Sequence, residues 1–217
     1  MSGVSTTQAV RARPSARGSA LLVSCLAAAV LAGCKTAPPQ QNVLPGQAVA
    51  QNWDARRSQL QNRQSFELKG RVAVAAGNDG FNARLLWRQS GSRSNVALDG
   101  PLGAGGVQIT NDGGSLSVTT AHGDRLDSEA AKAELKTRLG FEPPLGSLRY
   151  WILGVPDPAQ PYKEVLDDQQ HLASVEQSGW TVDYGAYMAV GSESLPSKVT
   201  LQREGVRVRL IVDGWTS

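Results

Sequence analysis

Two cysteines and two histidines in 217 residues leave little material for disulfides, thiolate metal sites or imidazole chemistry. Cys25 and Cys34 both lie close to the N-terminus, so nothing beyond residue 34 can be bridged or can hold a metal through sulfur. There is no Gly-x-Ser-x-Gly elbow, phosphate-binding loop, dinucleotide glycine fingerprint or His-Glu-x-x-His helix. The commonest hydrolase, nucleotide-binding and zinc-peptidase readings therefore fall away. His122, beside Gly123 in an expected turn, and His171, at an expected strand start, read as ordinary surface side chains. Asp167-Asp168 reads as a solvated loop, because adjacent residues on a strand point to opposite faces. Asp99 and Asp213 end expected strands with no partner indicated. Also missing is a run of about 20 apolar residues, the length a membrane-spanning helix needs. No enzyme, metal or cofactor is expected from these residues.

The N-terminus is more informative. Arg11, Arg13 and Arg17 form a basic start with no acidic residue before Cys34. An apolar stretch from Ala20 to Val30 follows and runs into Leu31-Ala32-Gly33-Cys34. A charged start, a short apolar region and small residues before the cut describe a secretory signal. Leu-Ala-Gly-Cys resembles the lipobox of bacterial lipoproteins, in which the Cys thiol takes a diacylglycerol and the freed amine is acylated. The chain then divides into a signal peptide at 1–33, a lipidated N-terminus and tether with a short helix at 34–64, and a folded domain at 65–217. Trp53, Leu60 and the pair Arg56-Arg57 mark that short helix. The formal charge of +3 counts three arginines of the signal; without them 19 of the 22 basic residues face 19 acidic ones. Nucleic-acid binding loses its electrostatic basis, and so does global attraction to anionic lipid.

Beyond residue 65, apolar and polar residues alternate. Val72 and Val74 share one face against Arg71 and Ala73. Phe81, Ala83, Leu85 and Trp87 alternate with Asn82, Arg84, Leu86 and Arg88. Later segments repeat the pattern with Val96 and Leu98, Val107 and Ile109, Leu116 and Val118, and Leu172 and Val175. Trp180, Val182 and Tyr184 continue it, then Val199 and Leu201, and last Val206, Val208, Leu210 and Val212. Period-two patterning with one apolar face predicts antiparallel strands on a core. Gly77–Gly80, Gly91-Ser92, Asn111–Gly114 and Glu204-Gly205 supply the turns.

Two helices interrupt this pattern. The first is capped by Asp127 or Ser128 and runs to Leu139, with Ala131, Leu135 and Leu139 on one face. It has a Glu134–Arg138 pair and a stop at Gly140. The second spans Ser147–Gly154, with Leu148, Trp151 and Ile152 on one face. Both are too short to stand alone and belong against the sheet, giving an α+β, mainly β fold. Patterning does not say whether the sheet curls. Pro101-Leu102-Gly103 reads, on its turn composition, as a turn whose Leu folds back onto the core. The residues leave open an acceptor of acyl chains, a structural outer-membrane lipoprotein and a lipid-anchored envelope hydrolase.

Several stretches, in order and spacing, are similar to the outer-membrane lipoprotein receptor LolB family. They are Phe66-x-x-x-Gly70-Arg71-Val72-Ala73, Ala83-Arg84-Leu85-Leu86-Trp87-x-Gln89, Gly100-Pro101-Leu102-Gly103 and Leu148–Gly154. Gln177-x-Gly179-Trp180-x-Val182-x-Tyr184, Leu195-Pro196 and Arg209-Leu210-x-Val212-Asp213-x-Trp215 complete the set. The resemblance implies a half-open antiparallel barrel of about eleven strands, with a helical lid over an apolar cavity. It implies a monomeric receptor on the periplasmic face of the outer membrane. Its partners would be the periplasmic carrier LolA, acylated lipoprotein cargo and outer-membrane lipid, with no nucleic acid. It implies no cofactor beyond the covalent N-acyl and S-diacylglycerol groups at Cys34. Lys35 lacks the acidic retention signal and fits outer-membrane sorting. Pro101, Leu102 and Gly103 match the protruding loop tied to membrane insertion, which reverses the reading from turn composition. Candidate cavity-lining residues are Phe66, Val72, Val74, Phe81, Leu85, Trp87, Leu98, Trp151 and Trp180.

Overall fold

The computed structural model describes residues 45–100 and 106–216, with side chains from residue 52 onward. Cys34 and the loop residues Pro101, Leu102 and Gly103 lie outside the described residues. The chain opens with helix α1 (Pro45–Gln61), then β1 (Ser65–Ala76), β2 (Asp79–Ser90), β3 (Arg93–Asp99), β4 (Val107–Asp112), β5 (Ser115–Thr119) and the short β6 (Arg125–Asp127). Helices α2 (Ser128–Leu139) and α3 (Leu145–Trp151) follow. The chain closes with β7 (Tyr162–Leu166), β8 (Leu172–Gln177), β9 (Trp180–Val190), β10 (Glu193–Arg203) and β11 (Val206–Thr216).

One sheet of eleven strands results, in the order β6-β5-β4-β3-β2-β1-β11-β10-β9-β8-β7. Each neighbour pairs antiparallel. This order explains where the helices lie. Hairpin by hairpin the first six strands walk to one edge, and the chain must restart at the other edge with β7. The connection between the edges is α2 and α3, so it has to cross a face of the sheet, and it buries apolar side chains there. The two edge strands do not pair, so the sheet stays open. It is nevertheless curled: Ile109 on β4 and Trp180 on β9 line one cavity. They are six strands apart, which on a flat sheet would be about 29 Å.

The inward faces form the core. Leu68, Val175, Val182, Leu195 and Val199 are fully buried. A second apolar cluster joins Val107, Ile109, Leu116 and Val118 to Ala131 and Leu135 of α2. The expected stop at Gly140 is present: it is left-handed, and its N–H donates to the Lys136 carbonyl at 3.0 Å. The expected side-chain cap is not. Asp127 is extended and makes no capping bond, because its carboxylate pairs with Arg125 at 3.2 Å. Helix α3 starts two residues earlier than Ser147 and ends at Trp151. Ser147 is buried within it and donates to Asp157 instead of marking its start. Two strands escaped the alternation: β6 has 3 residues, too few to show a period, and β7 is an edge strand of 5.

The helix expected within the tether is longer than a short turn, with 17 residues. Pro45 suits its first turn, where a missing N–H costs nothing. Trp53 and Leu60, seven residues apart and so on one face, are both buried. The Trp53 indole donates to Glu164 of β7 at 2.8 Å, Arg57 reaches the same carboxylate, and Arg63 pairs with Glu193. Periodicity missed this because, among the described side chains, the helix has two buried apolar anchors, and the rest of its grip is polar.

Gly70 is a further contact invisible to patterning. The β1–β11 register shifts between Lys69 and Gly70, and a Cβ at Gly70 would lie 2.4 Å from the Ile211 carbonyl oxygen. Backbone, unlike a flexible side chain, cannot move aside cheaply. Gly70→Ala is therefore expected to cost about 1–3 kcal/mol, seen as a lowered urea midpoint at unchanged slope.

Candidate functional site: an apolar cavity beneath the helices

Between the inner sheet face and the helices lies a cavity of about 120 Å³. Its floor is Val72 and Val74 of β1, Leu85 and Trp87 of β2, Val96 and Leu98 of β3, and Ile109 of β4. Trp180, Leu201, Val208 and Leu210 continue the floor across β9, β10 and β11. Leu139, Phe141, Pro143, Pro144, Leu145, Leu148 and Ile152 form the roof. Among the described lining residues the polar ones are Ser94 and Asn111, and none is charged. Ser94 is already engaged, since its hydroxyl donates to Gln89 Oε1 at 2.5 Å. Such a wall can offer dispersion and exclusion of water, and almost nothing to a polar ligand.

Of the nine residues expected to line the cavity, the structure brings six together there: Val72, Val74, Leu85, Trp87, Leu98 and Trp180. Phe66, Phe81 and Trp151 stand elsewhere. Phe66 sits at the start of β1, with its ring against Trp215 at 5.7 Å and Trp87 at 6.3 Å. Phe81 is part-buried, packed on the main core. Trp151 is 0% exposed, is not among the lining residues, and its indole joins a polar network. The period-two pattern finds the inward face, but it does not separate the part that meets space from the part that meets other side chains. The roof residues Phe141, Pro143 and Pro144 escape sequence patterning, because a Phe-x-Pro-Pro connection carries no periodic signal.

That polar network fixes α3. Gln177 Oε1 accepts from the Trp151 indole at 2.7 Å and from the Asp157 backbone N–H at 2.9 Å. Its amide donates to the carbonyls of Asp157 and Gln160 at 2.8 and 2.9 Å. All four of the capacities of the buried amide are thus filled, which is what its burial requires. Ser147 donates to Asp157 Oδ2 at 2.7 Å, and Tyr184 donates to the Trp151 carbonyl at 2.8 Å. Burial raises the Tyr184 phenol well above its ordinary pKa, so it stays a neutral donor. By contrast α2 is held to the sheet by apolar side chains.

The histidines divide. His122 is exposed. His171 departs from the surface reading: its side chain is 12% exposed, stacked on Tyr187 at 4.4 Å and 3.5 Å from Asp167. Asp167 closes the loop as a turn residue, accepting the backbone N–H groups of Gln169 and His171. Among the described residues no three His, Cys, Asp or Glu gather as metal ligands. No helix among them is long and apolar enough to cross a membrane.

The comparisons agree with this geometry. A profile of the family described as Outer membrane lipoprotein LolB matches residues 64–215. The outer-membrane lipoprotein LolB of Pseudomonas aeruginosa is 30% identical over 195 residues, covering 90% of this chain and 95% of that one. The protein of the same name from Pseudomonas fluorescens is 30% identical over 187 residues, covering 86% and 91%. Among solved structures, a DUF1329 family protein from Desulfovibrio piger has a TM-score of 0.50 at 9% identity, covering 77% of this chain and 92% of that one. That last likeness concerns the fold alone. The chain therefore belongs to the LolB family of outer membrane lipoproteins, and its work is outer-membrane lipoprotein localisation.

Proposed function

We propose that the chain receives acylated lipoproteins from the periplasmic carrier LolA and passes them into the outer membrane, with their acyl chains held in the cavity. The observation that carries this reading is the wall itself, where eighteen of the twenty described lining residues are apolar and none is charged. Each methylene removed from water gives about 0.8 kcal/mol, so a chain of some fourteen resists exposure by roughly 11 kcal/mol. It leaves one apolar pocket only for another that meets it mouth to mouth, and the step needs neither nucleotide nor covalent chemistry. The chain itself would be anchored through the N-acyl and S-diacylglycerol groups on Cys34. Leu102, between Pro101 and Gly103, would enter the lipid during handover. Burying one Leu there is worth about 1.5–3 kcal/mol, enough to bias docking and too little to anchor.

The test follows a labelled lipoprotein from loaded carrier to this chain, and from it to liposomes. Wild type is expected to take the label and hand it on. Leu102→Glu is expected to take the label and retain it, with transfer to liposomes down at least about tenfold. If no label leaves the carrier for the wild-type chain, the receptor reading fails and a structural lipoprotein replaces it.

A further inference from the structure

The outer face of the central strands carries a cationic hollow that the cavity does not use. Arg71 on β1 and Arg84 on β2 are directly opposed in register. Arg209 on β11 is paired with Ala73, two residues along β1. All three are exposed and point away from the cavity, since the residues flanking them in each strand, such as Val72, Leu85 and Val208, line it. With Ala73, Asn82 and Ile211 they border a surface hollow. Like charges opposed on adjacent strands destabilise a sheet, and the short Ala73 and Asn82 leave the space between the guanidiniums open.

Few carboxylates compete for them. Asp213 pairs with Arg71 at 2.8 Å, Asp99 borders the hollow directly opposite Arg84 in the β2–β3 register, and Glu67 is taken by Arg88 and Lys69. Among the described residues Arg84 and Arg209 have no carboxylate partner, and Lys198, opposite Ile211 on β10, adds a further cation. Gly100 also borders the hollow, so the arginines lie beside the point where the chain leaves β3.

We propose that this hollow seats the phosphate of an anionic phospholipid, docking the outer sheet face on the headgroup layer of the membrane to which the chain belongs. Guanidinium presents a planar fork that matches phosphate oxygens two at a time. A concave seat that offers the forks of Arg84 and Arg209, beside an Arg71 already held by Asp213, admits a headgroup, whereas a flat acidic protein face would meet only its rim. The inference rests on membership of an outer-membrane lipoprotein family and not on what fills the cavity.

The test uses the full lipid-anchored chain in vesicles, with a fluorophore on Ala75→Cys, an exposed outward position one pair beyond the hollow. Quenching by a lipid with a spin-labelled headgroup reports docking of this face. Each arginine near an anionic surface contributes a factor of about five. Exchanging about a third of a phosphatidylcholine membrane for phosphatidylglycerol should therefore raise the docked-to-undocked ratio at least about tenfold. The double variant Arg84→Glu/Arg209→Glu should return it to the phosphatidylcholine value, while binding of an uncharged acyl probe to the cavity stays unchanged. Arg84→Lys/Arg209→Lys should keep part of the effect. Equal quenching in the two membranes, or in wild type and the charge-reversed chain, overturns the proposal. So does protection of the fluorophore by a soluble acidic protein but not by anionic lipid. Loss of acyl-probe binding with docking intact would strike the receptor reading instead and leave this one standing.

Discussion

Trp151→Ala lowers the stability of the chain by about 3–5 kcal/mol, read as a fall of roughly 6–20 °C in Tm. The side chain is 0% exposed, so its removal leaves a void that rigid neighbours on two sides cannot close. Its ring lies 6.4 Å from that of Trp180, an aromatic contact that goes with the side chain. The indole is also one of two donors to Gln177 Oε1, an atom sealed from water. Trp151→Phe separates these contributions. It keeps most of the packing and drops the donor, and should cost about 1–3 kcal/mol. Leu148→Ala on the same helix provides the contrast. Leu148 is half-buried and borders the cavity, so fewer contacts are lost and the cost should stay near the lower end of the range, about 2 kcal/mol. Paired thermal melts of the three variants therefore distinguish wall from core. Equal losses for Leu148→Ala and Trp151→Ala would mean that the space beneath α3 is filled, contrary to the geometry.

The same contrast explains how much of this molecule can be read in its sequence. Alternation in Phe81–Arg88 and Val206–Val212 is enough to place strands and choose their inward face, because burial of one face imposes period two. Turn glycines then set the hairpins. The circular return that puts β11 beside β1 is not local information, and neither is the curl that brings Ile109 and Trp180 to one cavity. Six of nine lining residues follow from the inward face alone. Trp151 shows why the rest do not: a Trp on an apolar helix face fits a cavity wall and a core anchor equally well. What decides is Gln177, 26 residues away, and no pattern pairs the two. The grip of α1 was hidden for a similar reason, since Glu164 lies 111 residues from Trp53. The opposed arginines on the outer face could be seen as charges on strands but not as neighbours until the β1–β2 register was known.

Val96→Glu should weaken acyl binding at neutral pH by about a few hundredfold beyond the loss in Val96→Gln, and acid should remove that difference. Val96 stands in the cavity floor, opposite Trp87 on one side and Ile109 on the other. It is half-buried, so a longer side chain there can turn toward the opening and the empty chain should still fold. An acyl chain entering the cavity removes that freedom and strips water from the carboxylate, with no charged group among the described wall residues to pair with it. Desolvation of this kind raises a carboxyl pKa by about 3 units or more, and each unit corresponds to about 1.4 kcal/mol. The sign follows directly. The bound-state pKa lies above the free value near 4.3, so the deficit is complete above the bound-state pKa. It shrinks as pH falls through that value, and below the free one only the cost of a neutral polar side chain remains. Val96→Gln has nearly the same shape and no charge to lose. It should weaken binding by about 1–3 kcal/mol at every pH. Titration with an uncharged fluorescent acyl probe between neutral and acid pH reads both variants. A Val96→Glu chain that binds the probe as wild type does at neutral pH would place the acyl chain outside this cavity. Parallel pH profiles for Glu and Gln would mean that the side chain at 96 is still in water when the ligand is bound.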